Sequence, residues 1–295
     1  MREHRDGFAL IAVLWIIVAA SLLSGASFAV AANALRAHTN RVALIRATWI
    51  AQGCVAVWLS DPRHRSDAWD WLDRTSATPG TGACAMELRA VGSRLDVARA
   101  DSAALHRLAL AATGKPALAD SVTAALLDWQ DVDDAPRALG AERPWYWANR
   151  RRPADNAPLR DEESIQDVRS LDTHPEISAL LGVDSGRIAL RQAPSSVLFS
   201  LRGVTAETVG LMLHVRDEQV AGQEWDRIAG QVSATSRDSL RAQISWITAH
   251  ATWSPDAWLL RVRTRVDAMS PEAELRVRLA RRSGRLVPAR QVVVW

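Results

Sequence analysis

From Phe8 to Ala32 the chain carries no charged residue, and this 25-residue run limits what the rest can be. As a helix rising about 1.5 Å per residue it reaches roughly 37 Å. A bilayer core is about 30 Å thick, so the run is long enough to span one. A cleavable secretory signal has a shorter apolar stretch, roughly 7–15 residues. Small residues around Val30–Asn33 offer a cleavage site, but the run before them is too long for that reading. Arg2 and Arg5 precede the run, so the positive-inside rule leaves residues 1–7 in the cytoplasm and sends the rest across. No proline interrupts Phe8–Asp61, and Asp61-Pro62 is the first clear stop. Residues 8–60 are read as one long helix, with two separate helices as the alternative. Its second half is amphipathic, with Val42, Ile45, Trp49, Ala56 and Leu59 as the apolar positions.

About 260 residues remain beyond the span, which suits one large domain or two modest ones. The net charge is only +3, and Lys115 is the sole lysine. Arg150-Arg151-Arg152 sits before Pro153 and reads as a solvated loop, because phosphate binding wants a broad basic face; no nucleic acid is expected as a partner. Tryptophans such as Trp69, Trp71, Trp129, Trp145 and Trp147 would mark either a binding surface or, the preferred reading, a core. No Ser, His or Cys constellation argues for an enzyme, and no Cys-x-x-Cys pair argues for zinc.

The segments order themselves as follows. Residues 61–82 form a connector rich in Pro and Gly, with a helical turn around Trp69–Leu72. ACAMELRAV (83–91) and SRLDVARA (93–100) alternate like two strands of a hairpin turned at Gly92-Ser93. Residues 101–223 read as a block of short amphipathic helices. Beyond it QISWITAHATW, AWLLRVRTRV, EAELRVRLAR and LVPARQVVVW read as strands, turned at Ser254-Pro255-Asp256 and Ser283-Gly284. The fold class expected is α+β: a long N-terminal helix (8–60) and an antiparallel head (61–100 and 224–295), with a large all-helical insert (101–223).

Three groups carry candidate chemistry. Cys54 and Cys84, in an outward-facing head, favour a disulfide worth roughly 3–4 kcal/mol over two buried thiols. Asp128, Asp131, Asp133 and Asp134 cluster, with Glu142 following. Closely spaced acids on a loop supply the oxygens a calcium ion takes; the alternative is solubilising acids at a helix end, with Asp131 or Asp133 capping a turn. The candidate ligands are Asp128, Asp131, Asp133 and Glu142. SSVLFSLRGVTAETVGLMLHVRDE (195–218) is helix, Gly-containing turn, helix, the shape of a helix-hairpin-helix that binds phosphate through turn amides. In an exported chain it reads as a packing unit. A single-pass periplasmic binding protein using this element on DNA is the rival reading, and an anchored hydrolase a third.

Asp6-Gly7-Phe8, a short basic leader ending in Gly and followed at once by an apolar helix, resembles the processing site of type IV prepilins and pseudopilins. The resemblance implies a cut after Gly7 by the prepilin peptidase, a leader of residues 1–7, and methylation of the new N-terminal Phe8. Those families usually carry Glu at the fifth mature position, which here is Ala12. Its absence resembles the minor pseudopilin K family of type II secretion. LLDWQDVDDAP (126–136), GAERPWYW (140–147) and NAPLRDEESIQDVRSL (156–171) are similar to that family's segments in the same order. RIALRQAPSSVL (187–198) departs from it, with Leu190, Arg191, Gln192 and Ala193 where an Asn-Asn-Thr-Ala type run is usual. The resemblance implies a pilin fold with a helical insert and bound calcium. It also implies a tip position in an inner-membrane-anchored periplasmic pseudopilus, and partnership with minor pseudopilins I and J.

Overall fold

The computed structural model describes residues 5–61, 77–78, 84–183, 186–216, 222–282 and 285–294, with side chains for 13–61, 84–183, 186–216, 222–282 and 286–293. The helix α1 (Arg5–Ser60) is unbroken over 56 residues, about 84 Å at the standard rise. It is followed by β1 (Ala77–Thr78), β2 (Cys84–Ala90) and β3 (Leu95–Asp96). The helical block then runs through α2 (Ser102–Thr113), α3 (Pro116–Gln130), α4 (Arg143–Ala148), a 3-10 turn at Glu163–Asp167, and α5 (Pro175–Ser178). After β4 (Leu181–Gly182) and β5 (Ile188–Ala189) come α6 (Ser195–Leu198), α7 (Ala206–Val215), α8 (Glu224–Gln231) and α9 (Ala234–His250). The chain closes with β6 (Ala251–Thr252), β7 (Ala257–Thr264), β8 (Ala273–Arg282) and β9 (Arg285–Val294).

One antiparallel sheet runs β1-β2-β7-β8-β9. Since β2 and β7 are neighbours, everything from Val91 to Asp256 is an excursion from between two adjacent strands. Alternation sets the faces. Met86, Leu88, Leu260, Val262, Leu275 and Val277 point to α1, while Glu87, Arg89, Arg261, Glu274 and Arg276 occupy the opposite register positions. The helix meets the apolar face with Ala51, Cys54, Val55 and Trp58, and Ala47, also buried, continues the same helical stripe. Of the apolar positions expected there, Leu59 packs against this core and Val42 is half-buried, whereas Ala56 is exposed, Trp49 is 70% exposed and Ile45 47%. The small side chains of Ala47 and Ala51 let the helix axis approach the sheet, which larger residues would hold off.

The insert has its own core, containing Leu105, Leu108, Leu126, Trp129, Tyr146, Ile165, Leu181, Leu198 and Leu201. Helix starts follow local chemistry. Asp101 caps α2 by accepting from the Ala104 N–H at 2.7 Å, and Gly114 ends it in the left-handed region at φ 68°. Pro116 opens α3, where its missing N–H costs nothing.

Two expectations are corrected. Residues 83–91 and 93–100 are not a hairpin: β2 pairs with β7, while β3 pairs with β4 in a two-residue parallel ladder. Residues 224–250 are helical, so the insert ends at β6 and not at 223, and the segment 243–250 read as strand is the end of α9. Ser233 caps α9 through the Ser236 N–H, and Ser236, Leu240 and Ile247 are buried at helical spacing. The helical insert is pinned by two short parallel ladders, β3–β4 and β5–β6. The expected turn at 69–72 and the turn at 283–284 lie outside the described residues.

Candidate functional site

Gly7 and Phe8 lie within the first turns of α1, whose backbone continues through them. A window of this helix has mean hydropathy 2.2, long and apolar enough to cross a membrane, and Trp15, Leu22 and Phe28 expose most of their side chains. Where the helix leaves the sheet, Cys54 is joined to Cys84, with Cα atoms 6.7 Å apart. The bond ties the second-last turn of α1 to the first residue of β2.

The acids gather at the end of α3. Asp128, Asp131 and Glu142 place one carboxylate oxygen each within 4.8 Å of one another. Asp133 lies outside this group: it is exposed and accepts from the Ala135 N–H at 2.9 Å, a turn-capping role. Asp128 is fully buried and accepts from the Arg137 backbone N–H and from its Nη1 at 2.5 Å. Nη1 of Arg137 also donates to Asp131 at 2.5 Å, and these bonds push the Arg137 pKa above its ordinary value. Glu142 is 1% exposed, and neither of its oxygens has a hydrogen-bond partner among the described residues. Burial, then the neighbouring Asp128 and Asp131, push its carboxyl up to about 7. Two orphaned buried oxygens facing a second carboxylate form an all-oxygen donor set, which fits a hard cation.

Surrounding groups fix this loop. A Cβ on Gly140 would lie 1.9 Å from Asp128 Oδ2, so only glycine fits. Arg169 donates to the Gly140 carbonyl at 2.7 Å and stacks over Trp145 at 4.9 Å, while its backbone N–H donates to the Tyr146 hydroxyl at 3.0 Å. Burial raises the Tyr146 pKa to about 12. Trp129 and Tyr146 pack edge to face at 5.0 Å. Trp129 is thus core, whereas Trp147 is 64% exposed; Trp69 and Trp71 lie outside the described residues.

Sequence patterning missed a second cluster. Glu162 reaches Arg89 of β2, Arg94 and Arg261 of β7, while Glu163 reaches Arg276 of β8. Arg276 and Arg261 also meet Glu274. This seam docks the insert on the charged face of the sheet. Its trace in the sequence is the arginines alternating along β7 and β8. Arg191, in the departing segment 187–198, forms a buried pair with Glu224 at 2.5 Å, so this position holds the start of α8 to the segment between β5 and α6 within the insert.

The hairpin at 195–215 faces inward. Gly203 has φ 71°, and a Cβ there would lie 2.9 Å from the Ser239 carbonyl of α9. Thr205 caps α7 and meets Ser236 of α9 at 3.0 Å. The turn is packed against α9, as a packing unit requires, and does not present itself to a phosphate backbone.

A helix of membrane-spanning length, docked by its second half on an antiparallel sheet that a helical insert splits, defines a pilin-like fold. Residues 85–181 match the family model described as type II secretion system (T2SS), protein K. Among solved structures the chain is similar to one in "The Crystal Structure of the GspK-GspI-GspJ complex from enterotoxigenic Escherichia coli Type 2 Secretion System". The TM-score is 0.55 at 14% identity, covering 85% of this chain and 94% of that one. At that identity the likeness is one of fold. No curated protein sequence matches the chain.

Proposed function

We propose that this chain is a minor pseudopilin K, placed at the tip of a type II secretion pseudopilus, where it starts or caps assembly for protein export across the outer membrane. The observation that carries the reading is the protein K match at 85–181 within a pilin-like fold whose helix reaches far beyond its sheet. The chain is anchored once in the inner membrane with its head in the periplasm. The prepilin peptidase cuts after Gly7, and Phe8 is methylated. The minor pseudopilins I and J, partners named with the structural relative, are its neighbours. A tip subunit has no subunit ahead of it, which suits Ala12 at a position where other pseudopilins place an acid. Asp128, Asp131 and Glu142 hold calcium, which supplies positive charge to carboxylates that burial deprives of water.

The test is intact mass and N-terminal sequencing of the protein recovered from membranes, beside Gly7→Val. The expected mature terminus is methylated Phe8, and Gly7→Val should keep its leader and fail to co-purify with I and J. Normal cleavage of Gly7→Val would remove the prepilin assignment. A processed chain that does not associate with I and J would remove the tip assignment.

A further inference from the structure

A cavity of about 260 Å³ opens on the insert where β3, the N-terminal turn of α2, the residues before β5, the turn after α6 and the end of α9 converge. Its lining is rich in arginine. Arg202 is held by Asp101 at 2.5 Å and lies 4.8 Å over the Trp246 ring. Arg187 is fixed by both oxygens of Asp256 at 2.6 and 3.0 Å, and Arg94 by Glu162 at 3.1 Å. Arg99 is exposed, and its guanidinium makes no ion pair among the described residues. The His250 ring stacks on Trp246 at 4.1 Å and 14°, its Nδ1 bonded to the Trp246 carbonyl at 2.8 Å. The floor is therefore a flat aromatic and guanidinium stack, with one uncommitted arginine beside it.

Size and charge choose the ligand. Pockets for whole small molecules run to about 300–1,000 Å³, so this one suits one or two side chains. Guanidinium groups bind carboxylate and phosphate alike. Asp96 and Asp101 also line the cavity, and their negative charge disfavours a doubly charged phosphate more than a single carboxylate. We propose that this cavity binds an acidic side chain next to an aromatic one, on an extended segment of a partner protein. Arg99 pairs with the carboxylate and the Trp246–His250 stack takes the neighbouring ring. This goes beyond the tip reading and does not depend on it.

The test uses the full chain in detergent micelles and a fluorescein-labelled Gly-Ser-Glu-Phe-Gly amide, read by fluorescence polarisation. The Gln-for-Glu peptide and Arg99→Ala should each weaken binding about tenfold or more, the range for losing a hydrogen bond to a charged group. Arg160→Ala, which removes an exposed arginine elsewhere, should leave it unchanged. Trp246→Leu should weaken the Phe-containing peptide and leave a Gly-Ser-Glu-Ala-Gly amide unchanged. Equal binding of the Gln peptide, indifference to Arg99→Ala, or no binding at about 1 mM peptide would overturn the proposal. Stronger competition by inorganic phosphate than by acetate would overturn it in favour of a phosphate site.

Discussion

Gly140 is where a single added methyl group should be felt most. Its Cβ would enter the space of Asp128 Oδ2, and Asp128 is fully buried and pinned by two bonds from Arg137, so it has no room to yield. Gly140→Ala is expected to cost about 1–3 kcal/mol, the usual range for overpacking. In urea titrations its midpoint should fall. With calcium bound there as proposed, a chelator should lower the wild-type midpoint, because a ligand bound only by the folded state stabilises it, and should do little to the variant. An unchanged variant midpoint would show that the acidic loop is loosely held. At this scale the sequence spoke unevenly. The gathering of Asp128, Asp131 and Glu142 was legible from acid spacing, but Asp133, which caps a turn, was not separable from them, since acids of either kind look alike in a string. Arg137 was invisible for the opposite reason: a basic residue in a loop gives no sign that it bridges two acids six and nine positions back.

Among elements, the seam between the 162–163 corner and the sheet decides how the insert is held. Burial pushes the Glu162 carboxyl up, but Arg89, Arg94 and Arg261 more than offset this and hold its pKa below the ordinary 4.5. A carboxylate depressed in the folded state contributes its full stability above pH 4.5 and loses it as pH falls through the folded-state value. Glu162→Gln removes one charge partner of the buried Arg89, and breaking a buried pair costs up to about 3–5 kcal/mol. Urea unfolding at pH 7 should show this loss, and the gap between wild type and variant should shrink as the pH drops below 4. A gap that widened on acidification would rule out the electrostatic account. The seam was hidden because alternating Arg and Glu on β7 and β8 match a solvated face equally well. The end of α9 was misread for a related reason. Ile, Trp and Thr at 244–248 favour strands, whereas the deciding signals, the Ser233 cap and the buried Leu240, lie upstream of the segment that looked extended.

For the whole molecule, two cores share one chain. One joins α1 to the sheet, the other fills the insert, and the Cys54–Cys84 bond belongs wholly to the first. Replacing both cysteines with serine should cost about 3.5 kcal/mol in the chain-entropy model for a loop of this size. The loss should appear as a lower thermal midpoint for the sheet core, with protection of insert amides in hydrogen exchange little changed. A uniform loss across both cores would mean that they unfold as one unit. The order of helix, strands, helices and strands was legible because long periodic segments announce themselves. The insert's far boundary was not, because it depends on which strands pair, and pairing is a long-range choice that local pattern does not encode.

That pairing also dictates a sequence of events as the protein folds. Emerging from synthesis with its N-terminus first, the chain presents β2 long before β7 exists, and an unpaired strand edge invites wrong partners. The cost of closing a long loop grows only slowly with its length, but it must be met before the β2–β7 ladder can form. An insert that folds on its own core brings its two ends together, where the Val91 N–H already donates to the Ala257 carbonyl at 2.9 Å. The slow step then becomes the folding of the insert, and the central sheet zips shut across a gap that its own interruption has closed.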